Sequence, residues 1–149
     1  MSSVPVQTLS PERVVSEVLR HLSQEQIEDA IAGFAADFRY QDHGIALAFR
    51  EKERLTEFFR KARELYPDYF VRTDRAFVSG EHVITQWMLK VTIKEPFYGG
   101  LTRNHPLSLP GVSIVRVDNG KIAEWDDYYD GLTARRTSLA AHFTEWIEY

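Results

Sequence analysis

The sequence contains no cysteine, no apolar run of membrane-spanning length and no cluster of basic residues. The absence of cysteine excludes a disulfide framework, a thiolate metal site and a thiol nucleophile. Residues 1–14, MSSVPVQTLSPERV, lack the charged region and apolar stretch of a signal peptide. We therefore expect a cytoplasmic protein that does not associate with a membrane.

Lys and Arg are scattered among acidic residues instead of forming runs, and acidic residues outnumber basic ones by 22 to 18. Without a basic patch, we expect no nucleic-acid partner. The chain also has no glycine-rich phosphate loop and no serine elbow. Its five histidines include no pair at the spacing of helical metal ligands, so we expect no metal site.

Three helices are predicted in the first half of the chain. Ser10 is a good N-cap and Pro11 fits the first helical position, so the first helix begins there. A second helix is predicted at about residues 25–36 and a third within residues 50–67, with a short strand at residues 38–43 between them. The apolar positions at helical spacing are Val14, Val15, Val18, Leu19 and Leu22, then Ile27, Ala30, Ile31, Phe34, Ala35 and Phe38, then Leu55, Phe58, Phe59, Ala62 and Leu65.

From residue 68 onward, apolar residues recur with period two, which indicates β-strands. Four such segments, YFVRTDRAFVSG, HVITQWMLKVTI, GVSIVRVDNG and KIAEWDDYYD, are separated by turn residues, and Asn119-Gly120 is a strong hairpin signal. Residues 99–111 are predicted to form a loop, and a final helix is predicted at about residues 133–148. This order predicts an α+β fold, with helices packed on one face of a curved, mostly antiparallel sheet. We expect one domain over residues 1–149, with its core at about residues 10–132.

Four segments of the chain resemble the SnoaL-like family. They are FAADFRYQDH, FREKERLTEFF, VSGEHVITQWMLKV and, above all, GVSIVRVDNGKIAEWDDYYD. The family shares the cone-shaped α+β barrel of nuclear transport factor, ketosteroid isomerase and limonene epoxide hydrolase. The resemblance implies a deep apolar pocket between helices and sheet, a small apolar organic ligand, chemistry without a cofactor, and a homodimer formed by the opposite sheet face. The fold does not specify a reaction, because it hosts many.

The segment WDDYYD places acids among aromatic residues, although aspartate is depleted in strands and costly to bury. Residues two apart share a strand face, so Trp125, Asp127 and Tyr129 point one way and Asp126 points the other. The resemblance assigns the first set to the pocket, with Asp127 as the proton-transferring residue and the two aromatic side chains as substrate contacts. The alternative is that Asp127 only accepts structural hydrogen bonds. Asp126 and Asp130 are interpreted as a solvated face and a cap.

The strand at residues 38–43 carries the second set of candidates. Tyr40 and Asp42 share a face, and by the resemblance this strand ends beside the pocket, so both are candidate catalytic residues. Asp42 has the alternative role of capping the turn at His43-Gly44. His43, at the end of this strand, and His105, in a predicted loop that could cover the pocket mouth, are candidate substrate contacts. A lone histidine in a loop is most often simply exposed, which is the alternative for His105. Trp87 is a candidate pocket wall or an ordinary core residue.

We expect a cofactor-independent enzyme of the cyclase, isomerase or dehydratase type that transfers protons on its substrate. An epoxide hydrolase is the first alternative, but the RxD pair of limonene epoxide hydrolases is replaced here by Trp87 and Leu89. The second alternative is a non-catalytic binding or dimerisation module. A cavity filled by side chains, with Asp127 neutralised by a cation, would favour that module.

Overall fold

The computed structural model describes residues 9–94 and 104–131. These residues form three helices and a six-stranded sheet. The C-terminal helix predicted at residues 133–148 lies outside the described residues. No helix within the described ranges is long and apolar enough to cross a membrane.

The three helices are α1 (Pro11–Ser23), α2 (Ile27–Ala32) and α3 (Lys52–Leu65). Helix α1 begins as predicted, with the Ser10 side chain accepting a hydrogen bond from the Arg13 amide at 3.3 Å. The prediction that the second helix reaches residue 36 was wrong, because Gly33 caps α2 and a strand begins at Phe34. Residues four apart, such as Phe34 and Phe38, lie on the same side of either a strand or a helix. Their spacing therefore did not distinguish the two structures.

The strands are β1 (Phe34–Asp42), β2 (Leu47–Phe49), β3 (Phe70–Ser79), β4 (His82–Ile93), β5 (His105–Asp118) and β6 (Lys121–Tyr129). Their order in the sheet is β2-β1-β6-β5-β4-β3, so β2 and β3 are the edges and the sheet does not close. Strands β1 and β6 are parallel and all other neighbours are antiparallel. The predicted α+β cone fold is confirmed. Strand β2 was not predicted.

Strand β5 begins six residues before the segment GVSIVRVDNG, so the predicted loop over residues 99–111 was wrong for residues 105–110. Pro106 and Pro110 argue locally against a strand. Pairing of β5 with β6 ends at Gly111 and Tyr129, however, so among the described residues β4 is the only strand that pairs with residues 105–110. A residue without an N–H group is tolerated where a strand is paired on one side. His105 therefore begins a strand rather than occupying a loop over the pocket mouth.

The core lies between the three helices and one face of the sheet. The predicted turn at Asn119-Gly120 forms, with positive φ at both residues, as a two-residue hairpin requires. The apolar stripe of α1 and the buried positions of α3 face side chains of β1, β5 and β6, which include Phe34, Val115, Ile122 and Trp125. This packing holds the carboxyl ends of β1 and β6 beneath the helices.

Candidate active site

Three parallel rows of side chains cross the concave face of the sheet. In the middle row, Asp42 pairs with Asp127, Asp127 with Ser113, and Ser113 with Thr85. The two flanking rows are largely aromatic: Tyr40 pairs with Trp125 in one, and Tyr129, Gly111 and Trp87 are consecutive partners in the other. The sheet register therefore places a polar row between two aromatic walls.

These rows form the floor of an open cavity, and α1 and α3 cover it. The cavity contains about 910 Å³ of space not occupied by atoms, counted out to its open mouth. Both carboxyls line it although each is nearly inaccessible, with Asp42 4% and Asp127 9% exposed. The remaining lining is mostly apolar or aromatic and includes Val18, Leu19, Leu22, Phe58, Phe59, Tyr66 and Tyr69.

Each of the two aspartates accepts a hydrogen bond from a tyrosine on the strand that carries the other aspartate. Strand β1 carries Tyr40 and Asp42, and β6 carries Asp127 and Tyr129. Tyr40 donates its hydroxyl hydrogen to Asp127 Oδ2, and Tyr129 donates to Asp42 Oδ2 at 2.7 Å. Because the strands are parallel and the aspartates are in register, each tyrosine reaches its partner diagonally. Four of the residues predicted from the sequence thus form one unit.

Asp127 accepts two further hydrogen bonds, both at Oδ1. Ser113 Oγ donates at 2.5 Å and Trp125 Nε1 at 2.6 Å. Ser113 in turn accepts from Trp87 Nε1 at 2.8 Å. Burial raises the pKa of Asp127, and the hydrogen bonds from Ser113, Tyr40 and Trp125 oppose that rise.

Asp42 is held by the turn that follows it. Its Oδ1 accepts from the backbone amides of Gly44 at 3.0 Å and Ile45 at 3.1 Å. The capping contact considered for Asp42 is therefore present, in a residue that also lines the cavity. Burial, together with the negative charge of Asp127, raises the pKa of Asp42 from 3.8 to about 7, and the Tyr129 and amide hydrogen bonds limit the rise.

Two glycines allow aromatic rings to lie close to the backbone. A Cβ atom added to Gly111 would lie 2.2 Å from Cη2 of Trp87, and one added to Gly44 would lie 2.2 Å from Cε2 of Tyr129. Real Cβ atoms essentially never make contacts that short, so both positions require glycine, which has no side chain. The glycines therefore set the positions of Trp87 and Tyr129, whose ring centroids are 6.0 Å apart.

The opposite face of β6 carries a separate charged group. Asp126 forms a bidentate ion pair with Arg39, at 2.9 and 2.8 Å, and its Oδ1 lies 2.8 Å from His43 Nε2. The His43 ring stacks on Tyr128 with centroids 4.3 Å apart. The predicted substrate contact of His43 was wrong, because the residue does not line the cavity. Asp126 is an ion-paired residue and not simply a solvated one.

The other predicted site residues line a single cavity: Tyr40, Asp42, Trp87, Trp125, Asp127 and Tyr129. The side chain of His105 lies outside the described residues. Sequence reasoning missed Ser113. Counting back from the Asn119-Gly120 turn pairs Ser113 with Asp126, but β6 carries one extra residue in a bulge, so Ser113 lies opposite Asp127 instead.

The fold is an NTF2-like or ketosteroid isomerase-like α+β cone, and solved structures of that kind resemble this chain. A proposed SnoaL-like polyketide cyclase from Jannaschia sp. CCS1 is 20% identical, with a TM-score of 0.72 and coverage of 95% of this chain and 98% of that one. IdmH, a proposed polyketide cyclase from Streptomyces antibioticus, is 18% identical, with a TM-score of 0.73 and coverage of 84% and 95%.

A third similar structure is a hypothetical protein of ketosteroid isomerase-like fold from Catenulispora acidiphila, solved in complex with trimethylamine. It is 19% identical, with a TM-score of 0.70 and coverage of 90% of this chain and 94% of that one. No curated protein matches the chain. The family model of the SnoaL-like domain matches residues 15–125. The chain belongs to the SnoaL-like family, and the resemblance noted in its sequence is confirmed.

Proposed function

We propose that the protein is a cofactor-independent enzyme that transfers protons on a small, largely apolar organic substrate, in a cyclase, isomerase or dehydratase type of reaction. One observation carries the proposal: two buried carboxyls, Asp42 and Asp127, lie in register on adjacent strands and line an open apolar cavity. Two such groups near each other cannot both ionise easily, so the pair retains a proton near neutral pH. An acid and a base are then present together.

The hydrogen bonds distribute the two roles. Asp127 accepts from two hydroxyls and an indole, which favour its ionised form, so we assign it the role of base. Asp42, with a pKa of about 7, retains the shared proton and is the acid. Tyr40 orients Asp127 through its hydroxyl. This assignment follows the rule that neighbouring carboxyls act differently when their surroundings separate their pKa values.

A proton transfer at carbon then proceeds as follows. Asp127 removes a proton from a carbon next to a carbonyl group, and the electron pair moves to the carbonyl oxygen. Asp42 donates its proton to that oxygen, which gives an enol. In a cyclase the enol carbon attacks a second carbonyl, the enol proton returns to Asp42, and the new alkoxide takes the proton held by Asp127; in an isomerase Asp127 returns its proton to a different carbon and Asp42 recovers the enol proton. The hydrogens of Tyr40, Tyr129, Ser113, Trp87 and Trp125 are already donated within the network. Among these groups, Asp42 is therefore the available donor.

The base can be tested without the natural substrate. A carboxylate in an apolar site removes the C3 proton of 5-nitrobenzisoxazole, the N–O bond breaks, and a coloured cyano-nitrophenolate forms. We expect turnover by the wild-type protein and a loss of about 100-fold in Asp127→Asn, which keeps the shape of the side chain. Asp126→Asn, on the opposite strand face, should retain the wild-type rate.

The proposal fails if folded Asp127→Asn and Asp42→Asn both keep the wild-type rate, or if the wild type is no faster than a carboxylate buffer. Asp127 would then be a structural hydrogen-bond acceptor. If only Asp42→Asn loses activity, the cavity is catalytic but the acid and base roles are exchanged. Circular dichroism of each variant establishes that the fold is retained.

An epoxide hydrolase is the second candidate, favoured by the meeting of Tyr40, Asp42 and Asp127 in one cavity. These residues offer several hydrogen-bonding groups for a water molecule. No arginine is among the described residues that line the cavity, and Trp87 and Leu89 take the places of the RxD pair. Hydrolysis of styrene oxide to its diol, measured by chromatography, tests this candidate directly.

The binding-module alternative has less support. It requires a cavity filled by side chains and a cation on Asp127, whereas this cavity is open and the hydrogen-bond donors to Asp127 are Tyr40, Ser113 and Trp125. An open cavity lined by two buried acids instead suits a catalytic site.

A further inference from the structure

We propose that the substrate is an organic cation, a protonated amine attached to an apolar group. The inference rests on the proposed function in that it names the substrate class of the same cavity. The evidence is the charge, the hydrogen-bonding capacity and the aromatic content of the cavity wall.

The first argument is charge. Asp42 and Asp127 carry the only carboxyl groups among the described lining residues, and none of these residues is Lys, Arg or His. Buried charges are normally paired, because an isolated carboxylate loses its hydration without compensation. Hydrogen bonds stabilise the two carboxyls but leave their negative charge in place. A cationic ligand would neutralise it.

The charged residues around the cavity have partners of their own. Arg63 lies over Tyr69, with Cζ 5.3 Å from the ring centroid, and donates hydrogen bonds to the backbone oxygens of Leu22, Pro67 and Tyr69. Arg39 is paired with Asp126 on the opposite sheet face. Neither arginine lines the main cavity. Their positions leave the negative charge of the cavity uncompensated from within the described residues.

The second argument is hydrogen-bonding capacity. Around the two carboxyls, the hydrogens of Tyr40, Tyr129, Ser113, Trp87 and Trp125 are all directed to acceptors within the protein. The carboxylate and hydroxyl oxygens retain lone pairs, because a carboxylate has about four acceptor positions and a hydroxyl has two. The groups that are hydrogen-bonded to the two carboxyls therefore offer mainly acceptors. A protonated amine supplies N–H donors to these acceptors, whereas a carboxylate or phosphate ligand would find few donors among these groups.

The third argument is the aromatic lining. Nine of the residues that line the cavity are Phe, Tyr or Trp, and Tyr40, Trp125, Trp87 and Tyr129 flank the acids directly. Aromatic rings attract organic cations through their electron-rich faces and also bind apolar substituents. An alkylated ammonium group with an aromatic or aliphatic body fits both properties of this wall.

Binding of three probes of similar shape tests the inference by isothermal titration calorimetry at about pH 7.5, where the amine is protonated. The probes are N,N-dimethylbenzylamine (cationic), N,N-dimethylbenzamide (neutral) and phenylacetate (anionic). We expect the amine to bind at least about tenfold more tightly than either of the others. Asp127→Asn, which removes the carboxyl assigned the ionised form, should lower the amine affinity by about tenfold, Asp42→Asn should lower it less, and both should leave the amide affinity within about twofold.

Asp42→Asn retains an oxygen that can accept from Gly44 and Ile45, so the turn is expected to survive. Asp127→Asn provides a second variant, and Asp126→Asn is the matched control on the opposite face. The inference is overturned if the amine does not bind at millimolar concentration, if the amide or phenylacetate binds as tightly, or if both cavity variants bind the amine like the wild type. Binding requires no turnover, so amine binding without turnover of 5-nitrobenzisoxazole would refute only the proposed function, and the reverse result would refute only this inference.

Discussion

Tyr129 donates its hydroxyl hydrogen to Asp42 Oδ2 at 2.7 Å, across the parallel pairing of β6 with β1. This hydrogen bond joins two residues 87 positions apart and connects the acid that we place in the proposed mechanism to the aromatic wall of the cavity. It also stabilises the ionised form of Asp42, because a phenol donates to a carboxylate more strongly than to a carboxylic acid.

The first prediction concerns this contact. The Tyr129 hydrogen bond lowers the pKa of Asp42, so Tyr129→Phe should raise that pKa above about 7. Carbon-13 NMR of labelled aspartate carboxyls measures the midpoint directly. Tyr128→Phe, on the exposed face of the same strand, should leave the midpoint unchanged. An unchanged or lower midpoint in Tyr129→Phe would contradict the assignment.

The second prediction is a pH dependence of stability. Burial and the negative charge of Asp127 raise the pKa of Asp42 from its ordinary value of 3.8 to about 7 in the folded protein. Between these values the folded state retains a proton that the unfolded chain has released, so raising the pH through this window destabilises the fold. Asp42→Asn removes this penalty. Its free energy of unfolding relative to the wild type should increase by about 3 kcal/mol from pH 5 to pH 8.

Urea unfolding of both proteins at the two pH values measures the difference. The Asp126→Asn variant serves as a control with the opposite sign. Ion pairing with Arg39 and His43 outweighs partial burial and lowers the pKa of Asp126. A relative stability of Asp42→Asn that does not change with pH would show that Asp42 titrates normally.

The third prediction concerns the close approach of Trp87 to Gly111. In Gly111→Ala the new methyl group would overlap the indole ring, so Trp87 must move and lose its 2.8 Å hydrogen bond to Ser113. We expect a loss of about 1–3 kcal/mol in the free energy of unfolding and a shift in tryptophan fluorescence. Val112→Ala, directed to the opposite face, should leave the fluorescence unchanged. A Gly111→Ala protein with wild-type fluorescence and stability would refute the proposed packing.

The fourth prediction concerns Thr85, at the end of the polar row. Within the described residues, its Oγ1 is the single buried side-chain polar atom without a hydrogen-bond partner. Thr85→Val replaces this hydroxyl with a methyl group of similar size, so it should raise the free energy of unfolding by about 1 kcal/mol. Thermal unfolding measures the change. Ser113→Ala, which removes a donor from Asp127, should not stabilise the protein, and a less stable Thr85→Val would indicate that the hydroxyl has a partner.

The fifth prediction is a homodimer formed through the outer face of the sheet. Phe77, Ile84 and Ile114 form a cross-strand row there, and they are 55%, 41% and 39% exposed. An apolar row of this kind is typical of a surface that another chain covers. Light scattering at micromolar concentration should report a dimer for the wild type and a monomer for Ile114→Lys. A monomeric wild type would refute the prediction.

Local sequence signals were sufficient for several parts of this structure. Ser10 and Pro11 specify the start of α1, and Asn119-Gly120 specifies the β5–β6 turn, because capping and turn conformations depend on a few neighbouring residues. The alternation within β6 assigned Trp125, Asp127 and Tyr129 to one face, and the resemblance to the SnoaL-like family indicated which face lines the cavity. Six of the eight predicted site residues line it.

Tertiary structure alone decided which of these residues touch. The parallel pairing of β1 with β6 joins segments about 85 residues apart, and a bulge of one residue determines that Ser113 lies opposite Asp127 and not Asp126. The same packing encloses Asp42 and Asp127 together and raises their pKa values. Strand alternation is a local property of the backbone, whereas register and burial depend on how distant segments pack, so the sequence identified the acids and only the fold made them a pair.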